Sequence, residues 1–351
     1  MHPSPLPLPD VVTDRPDDLA APGGLDHHEG LPEAEALMMR LAVGSRFARL
    51  GVMAQEHLQA GGRRIRARLA FAAGEALGLQ RSRLIPWAAA CELVHNATLI
   101  HDDIQDGDRV RRDEPTTWVR HGVGQAINAG DLLLMLPFTV LAELDAYPVT
   151  KWRLSEAVAR AAEHTVRGQS SEMDLASSGR ITWDDWSHAA EGKTGALLAL
   201  PVEGAAILAG LDSATATRLA SAFGAIGLVY QMSDDLLDLS LDKGHGRVAG
   251  DIREGRITSL VAAWCSLHPA EAADLLETLR TPSLRTREDV VERTVRAFTE
   301  GGAVAHVQTR MQRHAATIVG NPVLRAVPDL HALALDLLGR FVPSLPTLKV
   351  S

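Results

Sequence analysis

Two short acidic runs constrain this chain more than any other feature. Asp-Asp-Ile-Gln-Asp at 102–106 and Asp-Asp-Leu-Leu-Asp at 234–238 share one spacing. Each closes an apolar, helix-forming stretch, CELVHNATLI before the first and SAFGAIGLVY before the second. On a helix Asp102 and Asp106 lie a turn apart on one face, as do Asp234 and Asp238, while Asp103 points about 100° away. Like charges at that spacing repel, so something must offset them. A hard divalent cation does so naturally. Magnesium takes one or two carboxylates, several waters and phosphate oxygens. One such cluster alone is equally well a solvated acidic helix end. Two, each ending an apolar helix, point to facing clusters and a magnesium-dependent diphosphate site. At an effective dielectric near 20, unit charges about 4 Å apart interact by ~4 kcal/mol, so several contacts lower the barrier to a departing diphosphate.

The rest of the chain supplies the helices. From Glu33 onward Ala and Leu dominate and aromatic content is 4%, while Pro and Gly fall mostly between apolar stretches. That favours helix over strand, and no strand–turn–strand alternation stands out. Helices are predicted at about 33–59, 64–77, 83–107, 119–145, 152–176, 193–209, 213–239, 253–266, 286–300, 302–318 and 323–341. Gly78 is expected to end the second in the left-handed conformation and Pro86 to sit in the first turn of the third. Thr281-Pro282-Ser283 reads as a loop. Stretches 193–209 and 213–232 are apolar nearly all round and are expected to be buried. The expectation is all-α: a single large helical domain of about a dozen helices around a central cavity. Residues 1–32 form a Pro- and Asp-rich disordered arm, 33–341 the domain and 342–351 a C-terminal tail.

Composition narrows the function. Charges interrupt every apolar run before membrane-span length, and the N-terminus lacks a secretory-signal pattern. Two cysteines, Cys91 and Cys265, provide neither a disulfide framework nor a cysteine metal cluster, which fits a reducing cytoplasm. A net charge of −9 without a basic block argues against nucleic acid. The basic residues that matter are local. Gly61-Gly62-Arg63-Arg64-Ile65-Arg66 opens one helix, and Arg111-Arg112 follows the first acidic cluster. Arginine pairs bidentately with phosphate and does not titrate. Lys193-Thr194-Gly195 opens an apolar helix without P-loop spacing, and Arg247 and Arg256 lie in a polar flap after the second cluster. His95 stands nearly two turns before Asp102 on the same face, which favours a ligand contact. His101 reads as a partner within its helix.

These motifs resemble those of the trans (all-E) isoprenyl diphosphate synthases, the polyprenyl synthetases, over about residues 33–341. DDIQD and DDLLD are similar to the family's two aspartate-rich motifs, and GGRRIR to its GGKRxR. Arg111-Arg112 with Pro115-Thr116 is similar to RRGxPT. The resemblance implies the isoprenoid synthase type I fold, usually as a homodimer, and condensation of isopentenyl diphosphate with an allylic diphosphate. It implies about three Mg²⁺ per site, held by Asp102, Asp106 and Asp234 and supported by Asp103, Asp235 and Asp238. The allylic diphosphate would meet Arg111, Lys193, Arg247 and Arg256, and isopentenyl diphosphate Arg63, Arg66, His95 and Arg112. Thr194 and Gln231 match residues near the reacting carbons. Arginine replaces the usual lysine at 63, 247 and 256, Asp113 replaces the glycine of RRG, and Ala67 a proline.

Product length is expected from the helix before Asp102. Cys91, His95 and Thr98 face the same way as Asp102, and the family adds Ala97, where an aromatic often stops growth. Cys91, Val94, Ala97 and Thr98 are small or medium, so twenty carbons or more are expected, with a floor at those positions or at Met135, Leu136 or Phe138. A class I terpene synthase or cyclase, a regulatory subunit of a heteromeric prenyl synthase, and a helical scaffold are the alternatives. Two intact aspartate motifs and Arg63, Arg66 and Arg112 argue against them.

Overall fold

The computed structural model describes residues 30–44, 48–239 and 248–342. Arg247, nearly all of the expected arm and nearly all of the tail lie outside them. The described residues form eighteen α-helices and one two-strand hairpin. The first part comprises α1 (Leu31–Val43), α2 (Ala48–Gln59), α3 (Ile65–Ala76) and the long α4 (Arg81–Gln105). The hairpin β1 (Val110–Arg111) and β2 (Glu114–Pro115) leads to α5 (Thr117–His121) and α6 (Val123–Glu143). Next come α7 (Pro148–Ser177), α8 (Trp183–Ala190), a π-helical turn at Glu191–Gly195, α9 (Ala196–Leu208) and α10 (Ser213–Asp238). The last part holds α11 (Gly250–Glu254), α12 (Ser259–Leu267), α13 (Ala272–Arg280), α14 (Pro282–Arg285), α15 (Glu288–Glu300), α16 (Ala303–Val319), α17 (Pro322–Arg325) and α18 (Pro328–Phe341).

α4 packs along α6, α3 and α9, and α10 packs along α9, α16 and α18. Helices that are apolar all round end up in the middle, as α9 and α10 do. Small residues let them approach closely. The fully buried Trp87 lies flat against Gly204 and donates from Nε1 to the Pro201 carbonyl at 2.9 Å. A Cβ on Gly204 would sit 1.9 Å from the Trp87 ring. Gly204→Val therefore overpacks the α4–α9 seam, with an expected loss of ~1–3 kcal/mol and a drop of several degrees in thermal midpoint, read by circular dichroism.

The helix count exceeds the expected dozen because predicted helices break. The 33–59 stretch divides into α1 and α2 after Gly44, and 119–145 divides at Gly122; both glycines have positive φ. α8 and α13 were not anticipated. α8 is announced by a capping box, Thr182 with Asp185. Gly78 does adopt positive φ after α3. Pro86 is not in the first turn of its helix, because α4 begins at Arg81 and carries the proline inside it. Pro282 opens a one-turn helix where a loop was expected. The hairpin is the other departure from sequence. Its two central residues, Arg112 and Asp113, have φ of 54° and 64°, the signature of a tight primed turn. Asparagine and aspartate tolerate that region better than most residues, so Asp113 can stand there.

α6 has the length and composition of a membrane span, although Asp131 interrupts it. It packs along α4, burying Ala126, Ala129, Leu133, Leu136 and Val140. Cys91 and Cys265 are both free and buried.

Candidate active site

The C-terminal ends of α4 and α10 bring the two aspartate clusters to one pocket of ≈ 240 Å³. Asp102 and Asp106 line it from α4, Asp234 and Asp235 from α10, and Lys193, Thr194 and Arg256 from the segments between and after them. The six aspartates divide into two groups. Asp103, Asp235 and Asp238 are only 1–3% exposed and are engaged with protein partners. Asp103 accepts from Arg111 Nε at 2.6 Å. Asp235 accepts from the Ser259 amide at 2.7 Å and Asp238 from the Asp251 amide at 3.0 Å, at the starts of α12 and α11. They tie down the helices that frame the pocket, whereas Asp102, Asp106 and Asp234 are the less buried aspartates that line it.

Burial pushes the Asp102 carboxyl up to about 6; Lys193 opposes the rise, and Asp106 and Glu172 add to it. Asp103 is raised to about 6 by burial against the pull of Arg111. An aspartate raised this way is protonated on the acid side of its pKa and loses the charge that a cation needs. The expected result is that kcat/KM, which reports the enzyme before substrate binds, falls on an acid limb centred near pH 6. A pH profile from 5 to 8 at fixed free Mg²⁺ checks it.

Lys193 and Thr194 lie in the π-helical turn rather than at a helix start, as the sequence had suggested. π-turns within helices recur at functional sites. α7 crosses this turn glycine to glycine: a Cβ on Gly168 would be 2.3 Å from the Lys193 nitrogen. One turn further along α7, Glu172 accepts from Lys193 Nζ at 2.6 Å. Thr194 Oγ1 donates to Gln231 Oε1 at 3.2 Å, and Gln231 Nε2 donates to Asp235 Oδ1 at 3.0 Å. This relay holds the Gln231 amide at the pocket wall. Arg256 spans the mouth, 3.6 Å from Asp108 and 2.6 Å from Glu254.

A second cavity of ≈ 410 Å³ is basic. Arg63 and Arg66 from the start of α3, His95 from α4, and Arg111 and Arg112 from the hairpin line it. Arg112 donates to the Gly61 carbonyl and lies against Gly62, joining the hairpin tip to the glycine turn. Arg64 points elsewhere, to Glu35 at 2.8 Å and the Leu58 carbonyl at 2.5 Å. Burial, then Arg66, Arg112 and Arg111, push the His95 pKa well below its ordinary value, so the ring is a neutral hydrogen-bonding group. Leu99, Arg111 and Tyr230 line both cavities. Leu99 and Tyr230 thus form a thin wall between an acidic and a basic chamber.

The polyprenyl synthetase family model matches residues 48–298. The chain belongs to the polyprenyl synthetase family. It is 32% identical over 253 residues to a geranylgeranyl diphosphate synthase of Methanosarcina mazei, covering 72% of this chain and 76% of the relative. It is 31% identical over 289 residues to a (2E,6E)-farnesyl diphosphate synthase of Mycobacterium tuberculosis, covering 80% and 79%. A geranylgeranyl pyrophosphate synthetase structure from Pyrococcus horikoshii superposes with a TM-score of 0.78 at 28% identity, covering 88% of this chain and 96% of that one.

For a polyprenyl synthetase the acidic pocket has suitable donors for magnesium, the carboxylate oxygens of Asp102 and Asp106 from α4 and Asp234 from α10. Among the described residues no three such groups already converge on a metal position. On α4 the synthetase packs Cys91, Val94 and Ala97 at 0–1% exposure, and Thr98 bonds its hydroxyl to the His95 carbonyl. His101 reaches across to α6, 3.4 Å from Asp131, rather than within its own helix. Leu99, Glu172, Trp186, Tyr230, Arg340 and Phe341 also line the cavities without having been singled out. Leu99 and Tyr230 adjoin Thr98 and Gln231 in sequence, whereas the others come from distant helices and carry no local signal.

Proposed function

We propose that the chain is an all-trans isoprenyl diphosphate synthase that condenses isopentenyl diphosphate with an allylic diphosphate. The observation that supports it best is the pair of chambers meeting at Leu99 and Tyr230, one acidic and one basic. The reaction needs two diphosphates held differently, one activated to leave and one merely anchored. Asp102, Asp106 and Asp234 would hold about three Mg²⁺ ions, which supply charge neutralisation for the departing diphosphate. Arg111, Lys193 and Arg256 orient that diphosphate, with Arg247 beside them by family resemblance. Arg63, Arg66, His95 and Arg112 anchor isopentenyl diphosphate. Its double bond then faces the allylic carbon beside Thr194 and Gln231. The allylic carbon–oxygen bond breaks first, the isopentenyl double bond attacks the allylic cation so formed, and the proton then lost passes to the departing diphosphate. The sequence suggests no strong protein base for that step.

The product proposed is geranylgeranyl diphosphate. Small side chains at Ala97, Val94 and Cys91 favour a tail of twenty carbons or more. Ala97→Phe should then shift the main product from twenty to fifteen carbons, read by mass spectrometry of the dephosphorylated alcohols. Outward-facing Ile127 and Met135 on α6, with Val149, Trp152 and Val166 on α7, offer a face for a homodimer. Free, buried cysteines fit a reducing cytoplasm.

A thermal-shift experiment tests the two-chamber reading. The allylic diphosphate should stabilise the protein strongly only with Mg²⁺, and Asp234→Ala should abolish the effect of the metal. Isopentenyl diphosphate should stabilise without metal, by about 2.7 kcal/mol at a hundredfold excess over Kd. Metal-dependent stabilisation by both ligands, or by neither, would contradict it.

A further inference from the structure

Helix α3 presents Arg66 to the basic cavity, yet nothing in its own sequence caps its first turn. The residue before it, Arg64, sits in the left-handed region at φ 53° and provides no side-chain cap. The first amides of a helix need acceptors when they are buried. Here they find one on another helix. Glu92 of α4 is 1% exposed, and its Oε1 accepts from the Arg66 amide at 2.9 Å and the Ala67 amide at 3.0 Å. Its Oε2 faces Asn96 Nδ2 at 3.4 Å, and Asn96 also donates to the Glu92 carbonyl at 2.7 Å, so the carboxylate is held from below. A buried carboxylate on an Ala-rich helix is costly unless something uses it. Glu92 occupies the Arg66 and Ala67 amides and places its charge beside the Arg66 guanidinium. Arg66 keeps a buried Nε with no partner in the protein, and the residue lines the chamber that Glu92 also lines.

We propose that Glu92 is a positioning residue for isopentenyl diphosphate: it caps α3 from across the α3–α4 seam and so fixes where Arg66 meets the diphosphate. This rests on the synthase reading above. It assigns Glu92 no contact with the reacting carbons. Loss of the cap should therefore affect one substrate and not the other, because α3, whose first turn is then uncapped, carries none of Lys193, Thr194 or the aspartates.

The test is steady-state kinetics with each substrate varied in turn, on three variants whose folding is checked by circular dichroism. Glu92→Leu removes the acceptor at similar volume. Glu92→Asp keeps the charge but draws it back from the amides. Glu92→Gln keeps an acceptor oxygen without the charge. Leu and Asp should raise KM for isopentenyl diphosphate tenfold or more, with KM for the allylic diphosphate and kcat changed less than threefold. Gln should recover most of the loss. If Glu92→Leu does not fold, Asp against Gln carries the same comparison. Equal changes in both KM values, a change confined to kcat, no change, or failure of Gln to recover would each overturn the proposal. Wild-type protein that makes no prenyl product would instead defeat the synthase reading, so the two failures are distinguishable.

Discussion

Asp102→Ala should lower kcat on the order of 10³-fold, about 4 kcal/mol in the barrier, while leaving the helical fold intact. Asp102 lines the acidic pocket and carries a carboxyl raised to about 6. A group held in that state is costly to the fold, so removing it relieves repulsion with Asp106 rather than breaking a support. The expected signature is an unchanged or slightly raised thermal midpoint with almost no turnover. Asp103→Ala should behave differently. It removes the buried partner of Arg111 and should lower stability as well as activity. A melting curve beside a kcat measurement separates the two roles. Equal loss of stability in both variants would contradict the division of the aspartates into cation-facing and structural groups.

Arg66→Ala should raise KM for isopentenyl diphosphate roughly 30- to 150-fold, as expected for losing a charge-assisted hydrogen bond of about 2–3 kcal/mol. Burial pushes the pKa of this guanidinium down and Glu92 opposes that shift, so the side chain stays cationic in its cavity. kcat at saturating isopentenyl diphosphate should hold within a few-fold, because Arg66 anchors a diphosphate that does not leave. Arg66→Lys should recover only part of the affinity, since an ammonium lacks the planar fork. Titrating each substrate against the other at saturation measures the split, and a loss confined to kcat would place Arg66 at the wrong diphosphate.

The parts of this site that could be read from sequence are those where local spacing carries the chemistry. Asp102, Asp106 and Asp234 stand out because carboxylates at helical spacing repel, and GGRR stands out through charge density; the structure brings the three aspartates to one pocket and Arg63 to the other. What spacing cannot reveal is which carboxylate turns inward. Asp235 and Asp238 look like Asp234 in sequence, yet they serve the amides of Ser259 and Asp251. Those partners come from later helices. Glu92 escaped for the same reason, since its acceptor role exists only once α3 is laid on α4. The π-turn around Lys193 was invisible because Lys193-Thr194-Gly195 reads as a helix start until Gly192 meets Gly168 of α7 and Gly195 meets Gly224 of α10. Fold class was legible from Ala and Leu with few aromatics. The number of helices was not, because glycines with positive φ at 44 and 122 cut stretches that look continuous in composition.

The most direct measurement is a product assay with purified protein, Mg²⁺, isopentenyl diphosphate and, in turn, the five-, ten- and fifteen-carbon allylic diphosphates. The alcohols are identified by mass spectrometry after dephosphorylation. Chain extension of every primer to a common all-trans twenty-carbon alcohol is the predicted result. Cyclic hydrocarbons formed from the allylic substrate alone, or no consumption of either diphosphate, would contradict the account.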